Sequence, residues 1–147
     1  MRYLTISVLF LFMGNAAFAK CALEDEKQAL DLKALQSSMM VAALSCGQQD
    51  AYNDFVEKYQ HNISDGGDTI RTYFKARFGS SHEHELNRFV TKLANKATQE
   101  SMYISSDLYC MRMHEVFTAL LDMPNQQFAN FVKGYHFETL HGISACS

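Results

Sequence analysis

Six histidines, His61, His82, His84, His114, His136 and His141, are the side chains here best suited to metal or proton chemistry. The densest group is His82-Glu83-His84-Glu85. Zinc bound on a helix needs ligands four residues apart, as in HExxH, so that they share one face. His82 and His84 are two apart and diverge by about 200° on a helix. The four residues therefore read as a polar first helical turn, where acidic side chains favour the positive end of the helix dipole. A second, softer set stands at Cys110-Met111-Arg112-Met113-His114 and is of a kind that suits copper. Helical spacing gathers Cys110, Met113 and His114 but turns Met111 away, and a disulfide at Cys110 would remove its thiolate. No metal and no cofactor is expected from either set.

Nucleophilic catalysis needs a nucleophile, a base and an orienting group that meet in space. The chain has serines, histidines and acids, but no GxSxG elbow, Walker loop or GxGxxG. No catalytic residue can be named. An enzyme or metal-binding protein built from histidines and acids remains the alternative, and a cleft gathering His114, Glu115 or His136 would favour it. The most regular charged feature is instead a basic line, Arg88, Lys92 and Lys96, at four-residue steps. It lies opposite an apolar stripe and so faces water. Such a line suits an acidic partner or an anionic polymer. The formal net charge of −3 argues against a general nucleic-acid binder, because phosphate binding needs clustered cations.

All four cysteines, Cys21, Cys46, Cys110 and Cys146, are widely spaced, with no CxxC redox pair, no CxxCH haem site and no zinc knuckle. An even count in an exported chain favours two structural bridges. Export is expected from the first nineteen residues. Arg2 gives a positive start, Leu4 to Met13 is an apolar run too short to span a bilayer comfortably, and Ala17-Phe18-Ala19 is a small-x-small cleavage pattern. Cleavage there leaves 20–147 as a single domain, one charge unit more acidic for the loss of Arg2. No later segment reads as a membrane span, and a periplasmic or secreted destination is expected.

The elements that must position these groups are helices. Leu32, Leu35, Met39, Ala42 and Cys46 follow one helix face, which Gly47 ends. Tyr52, Phe55, Val56, Tyr59 and Ile63 share the side of a second. Ser64-Asp65-Gly66-Gly67 reads as a break, after which Ile70, Tyr73, Phe74 and Phe78 begin a third. Ser80 and Glu83 have capping-box spacing at the head of a fourth, whose stripe is Leu86, Phe89, Val90, Leu93 and Ala97. A fifth begins near Ser105 or Ser106 and turns Tyr109, Met113, Val116, Phe117 and Leu120 inward. Pro124 suits the first turn of a sixth, with Phe128, Phe131 and Val132 buried and Gly134 at its end. The fold class is all-α, a compact bundle of five or six helices braced by two disulfides. Asn53, Asn87, Thr91 and Asn95 are expected to hydrogen-bond neighbouring helices, with the lining of a shallow cleft as the alternative.

The run Leu35 to Gly47 (LQSSMMVAALSCG), with Tyr52 to Val56, Tyr73-Phe74 and Leu86 to Asn95 (LNRFVTKLAN), resembles small secreted bacterial proteins of unassigned function. The likeness covers roughly residues 32–112. It implies a helical secreted domain in which Cys46 pairs with Cys110, and it implies no activity. Cys21 and Cys146 then pair by elimination. Together these readings describe an exported interaction module without catalytic machinery, whose partner is another envelope or extracellular protein. A narrower form is an immunity- or inhibitor-type protein, by fold-level analogy.

Overall fold

The structure, a computed structural model, describes residues 21–134 and 137–146. The expected leader, 1–19, lies outside them, as do Tyr135, His136 and Ser147. The chain runs through β1 (Cys21–Ala22), α1 (Glu24–Cys46), α2 (Gln49–Lys58), α3 (Gln60–Phe78), a 3-10 turn (Gly79–Ser81) and α4 (His82–Ser101). It continues through α5 (Ser106–Asp122), α6 (Asn125–Gly134), the single turn α7 (Glu138–His141) and β2 (Ser144–Ala145). Among the described residues, six helices of ten residues or more form the expected all-α bundle.

Helix α1 is the axis around which the others pack. Three acids, Glu24, Asp25 and Glu26, occupy its first turn, where they oppose the helix dipole. The Glu26 carboxylate also accepts the Leu23 backbone N–H at 2.8 Å. Gly47 ends the helix in the left-handed region (φ 67°), and its N–H returns to the Ala43 carbonyl. Between these ends the buried residues include Ala29 to Leu32, Ala34, Leu35 and Val41 to Ala43, so neighbours enclose the helix on nearly every side.

The expected break at Ser64-Asp65-Gly66-Gly67 does not occur: α3 runs through it, and the chain turns at Tyr59 instead. A side chain on Gly66 would place its Cβ 3.2 Å from Leu32 Cδ2, so glycine here serves the close approach of α3 to α1. The turn at Tyr59 is fixed from outside the segment. The Tyr59 hydroxyl donates to the Leu120 carbonyl at 2.6 Å. Lys58 Nζ donates to the carbonyls of Leu121 and, at 2.7 Å, Met123, satisfying the open C-terminal end of α5.

The capping box expected at Ser80 is also absent. The 3-10 turn moves the helix start to His82, so Ser80 is not at the cap, and the residue that is, Ser81, makes no side-chain cap. His82 Nδ1 lies 2.8 Å from the Gly79 carbonyl instead. The fifth and sixth helices follow the expected boundaries, with Pro124 immediately before α6 and its carbonyl accepting the Gln127 N–H.

Both disulfides form as expected. Cys46–Cys110 joins the end of α1 to α5 across 64 residues, and Cys21–Cys146 joins the two ends across 125. Closing a loop of the first size stabilises by about 4 kcal/mol on the chain-entropy model. Beside the outer bridge, β1 and β2 form a two-residue parallel ladder, Cys21 against Ser144 and Ala22 against Ala145, for which the sequence held no signal. No described helix is long and apolar enough to cross a membrane. Two bridges and no free cysteine fit a chain that matures in an oxidising, non-cytoplasmic compartment.

Candidate functional site

The last two turns of α3, the first half of α4 and the tail 141–143 enclose a recess of about 510 Å3. α3 supplies Tyr73, Phe74, Arg77 and Phe78, and α4 supplies Glu85, Arg88, Phe89 and Lys92. Phe74 lies at the centre of the aromatic floor, with ring centroids 5.3 Å from Tyr73, 5.6 Å from Phe78 and 5.3 Å from Phe89. Phe78 is 44% exposed, an unusual amount of bare aromatic surface at a recess mouth.

The cations around this floor differ in how far they are already used. Arg77 is committed: its guanidinium stacks 3.6 Å from the Tyr73 ring centroid, donates to the Cys21 carbonyl at 2.9 Å and pairs with Glu26 at 3.2 Å. Burial pushes the Tyr73 phenol above its ordinary pKa, and the Arg77 charge opposes that shift. Arg88 is exposed and meets Glu85 only at 3.7 Å. Lys92 is exposed and has no ion pair among the described residues. Lys96, the third member of the basic line, is partly buried, and its Nζ donates to the Thr139 carbonyl, which pins α7 to α4. The line thus divides into two residues at the recess and one that positions its wall.

That wall is held from beneath by groups sequence reasoning did not bring together. Asp31, on α1, is 1% exposed. Lys27 Nζ meets its Oδ2 at 2.8 Å, and His141 Nε2 meets its Oδ1 at 2.8 Å. The Ile143 N–H donates to His141 Nδ1 at 3.1 Å. Since Nδ1 accepts, the neutral ring carries its proton on Nε2 and donates it to Asp31. An aspartate–histidine pair is the orienting half of a catalytic triad, but a triad leaves the other ring nitrogen to a nucleophile. Here Ile143 occupies that nitrogen and the ring is fully enclosed. The pair fixes the tail; it does not face the recess as a base.

The remaining candidates are dispersed. His82 is tied to Gly79 and, through Nε2, to Glu83 at 3.2 Å. His114 and Glu115 are exposed on α5, and His136 lies outside the described residues. No group of three or more His, Cys, Asp or Glu side chains is placed to hold a metal among the described residues. Cys110 is in its disulfide, Met113 packs on the core and Met111 is exposed. The expected polar helix–helix contacts do not form. Asn53, Asn87, Thr91 and Asn95 are exposed, and Thr91 Oγ1 donates within α4 to the Asn87 carbonyl.

The sequence carried only partial signals for the recess. Arg77 and Phe78 close α3 next to Gly79, which marks a helix end but not a site. Asp31, set between Leu30 and Leu32, was the more telling sign, since a carboxylate inside an apolar run needs a partner once the helix is buried. Comparison with family models, curated proteins and solved structures finds no match.

Proposed function

We propose that the chain is a periplasmic or secreted binding module that takes an acidic segment of another extracytoplasmic protein, with one apolar side chain seated in the α3–α4 recess. The single observation that carries this is the pairing of the exposed Phe78 ring at the recess with Lys92, a cation that has no ion pair among the described residues. An aromatic or aliphatic anchor would bury Phe78 and Phe89, while flanking carboxylates would meet Lys92 and Arg88. Interface energy concentrates on a few side chains, aromatic ones and arginine above all, seated in desolvated pockets, and rim charges chiefly govern association rate. Enzymatic readings have less support, since both ring nitrogens of His141, the histidine that lines the recess among the described residues, are engaged.

Peptides carrying one Phe or Leu among Asp and Glu residues test the reading by calorimetry or fluorescence anisotropy at two salt concentrations. Reversal of both rim charges (R88E with K92E) is expected to weaken binding about tenfold or more and to flatten its salt dependence. His114→Ala should leave it unchanged. Binding that ignores the charge reversal, or that the peptides never show while a small aryl carboxylate saturates the recess, would remove the protein-partner reading.

A further inference from the structure

On the other side of α4 from the recess lies a second cleft, of about 250 Å3, between α1, α3 and α4. Its walls are mostly aliphatic, with Leu32, Ile63, Ile70, Leu86 and Val90 among them. Lys33 of α1 lines it, half-buried, and its Nζ donates to the side-chain carbonyl of Gln36 at 3.0 Å. That partner is a neutral amide, and no carboxylate pairs with Lys33 among the described residues. The other charged group lining the cleft is Arg71 of α3, which is held by Asp68 at 2.9 Å; α4 adds only Leu86, Asn87 and Val90. An ammonium is poorly served in such a place, and burial lowers the Lys33 pKa from its ordinary value.

Gly67, which is exposed, lines the cleft from the middle of α3, where glycine is about 0.5–1 kcal/mol worse than alanine. Packing accounts for Gly66 but not for Gly67, since a Cβ there would meet nothing within 4 Å. A larger side chain at Gly67 would enter open space at the cleft rather than collide with a neighbour.

We propose that Lys33 is a carbonyl-capturing amine whose cleft admits a small aliphatic aldehyde and holds it as an imine on Nζ. The neutral amine attacks the carbonyl carbon with its lone pair, giving a carbinolamine. The C–O bond then breaks and the carbonyl oxygen leaves as water with the two amine protons, so that a C=N bond replaces C=O with no oxidation or reduction. A neutral lysine in an apolar pocket is the usual form of an amine nucleophile. The aliphatic walls suit an alkyl tail, and the Gln36 side-chain carbonyl accepts one N–H from Nζ.

The test is trapping on the intact, disulfide-bonded protein with propanal and cyanoborohydride near neutral pH, followed by peptide mapping over time. Lys33 is expected to be alkylated faster than the exposed Lys75 and Lys92, because burial lowers its pKa and so raises its neutral fraction at a given pH. Gly67→Leu, which fills part of the cleft, should slow Lys33 alone. Lys33 reacting no faster than the exposed lysines, or keeping its rate in Gly67→Leu, would overturn the proposal.

Discussion

Around Phe55, Tyr59 and Phe128 the domain is closed by rings, whereas around Ala22, Leu30 and Ile70 it is closed by ionic and hydrogen-bonded tethers. In the first region Tyr59 and Phe128 stack at 3.7 Å, Phe55 meets both, and Phe117, Leu120 and Val132 complete a cluster joining α1, α2, α5 and α6. In the second, six buried residues, Ala22, Ala29, Leu30, Ile70, Tyr73 and Phe74, form a smaller cluster. Arg77, Glu26, Lys27, Asp31 and His141 bind its edges, and the outer disulfide lies beside it. Tyr73 and Phe74 of the tethered cluster are themselves buried, and Phe78, 44% exposed, extends their rings to the mouth of the recess. The exposed aromatic surface thus stands beside the tethered cluster rather than the ring-packed one.

The widest separation between the regions should come from Phe128→Ala. Phe128 is 1% exposed and carries the stack on Tyr59, so truncation is expected to cost about 4 kcal/mol through lost transfer energy and a cavity. Urea unfolding measures it. Amides at the recess, Ile143 among them, should keep their protection relative to the new global stability. A loss under about 1 kcal/mol would mean the ring cluster is not the main core.

His141→Ala tests the other side and should cost less, about 2–3 kcal/mol, by removing a hydrogen bond to a buried carboxylate. Lys27 still faces Asp31, which limits the penalty. The decisive readout is local. The Ile143 N–H loses its acceptor, so its hydrogen exchange should accelerate well beyond what the global loss explains, and peptide binding at the recess should weaken with it. Uniform loss of protection across α2, α5 and α6 would show that the tail is not a separate tethered unit.

These two substitutions also show where the sequence was readable. Phe128 was legible because α6 repeats its apolar residues at helical spacing and is bounded by Pro124 and Gly134. His141 was visible only as one histidine of six, because its partner stands 110 residues away and only tertiary packing joins them. The Gly66-Gly67 misreading has the same origin. Local propensity favoured a turn, but α1 packs so closely on α3 that Gly66 becomes a contact point inside a helix. Within the basic line, Arg88 and Lys92 are exposed, as helical period places them. Lys96 escaped because α7 turns back to meet it. The recess floor was half-legible, since the same spacing that marks Phe74 and Phe89 as core cannot tell whether a neighbour covers them.

The smallest effect expected is the most specific, and it concerns the single buried hydroxyl of the ring cluster. Tyr59→Phe removes the 2.6 Å bond to the Leu120 carbonyl while Lys58 Nζ remains 3.4 Å from that oxygen, so the cost near neutral pH should be about 1 kcal/mol. Its signature is alkaline. Burial raises the Tyr59 phenol above its ordinary pKa, so between the unfolded and folded values the folded chain keeps a proton that the unfolded chain has released. The stability this proton confers is complete below the unfolded tyrosine pKa, about 10, and is lost as pH rises through the higher folded value. Unfolding free energy should therefore fall with pH above that point in the unaltered chain and fall less steeply in Tyr59→Phe. Tyr73 and Tyr109 are raised in the same direction, by burial first, so the slope should be reduced rather than abolished. Equal alkaline slopes in the two proteins would mean that Tyr59 does not hold its proton in the ring cluster, and the contrast between a dry ring-packed region and a tethered one would lose its clearest chemical mark.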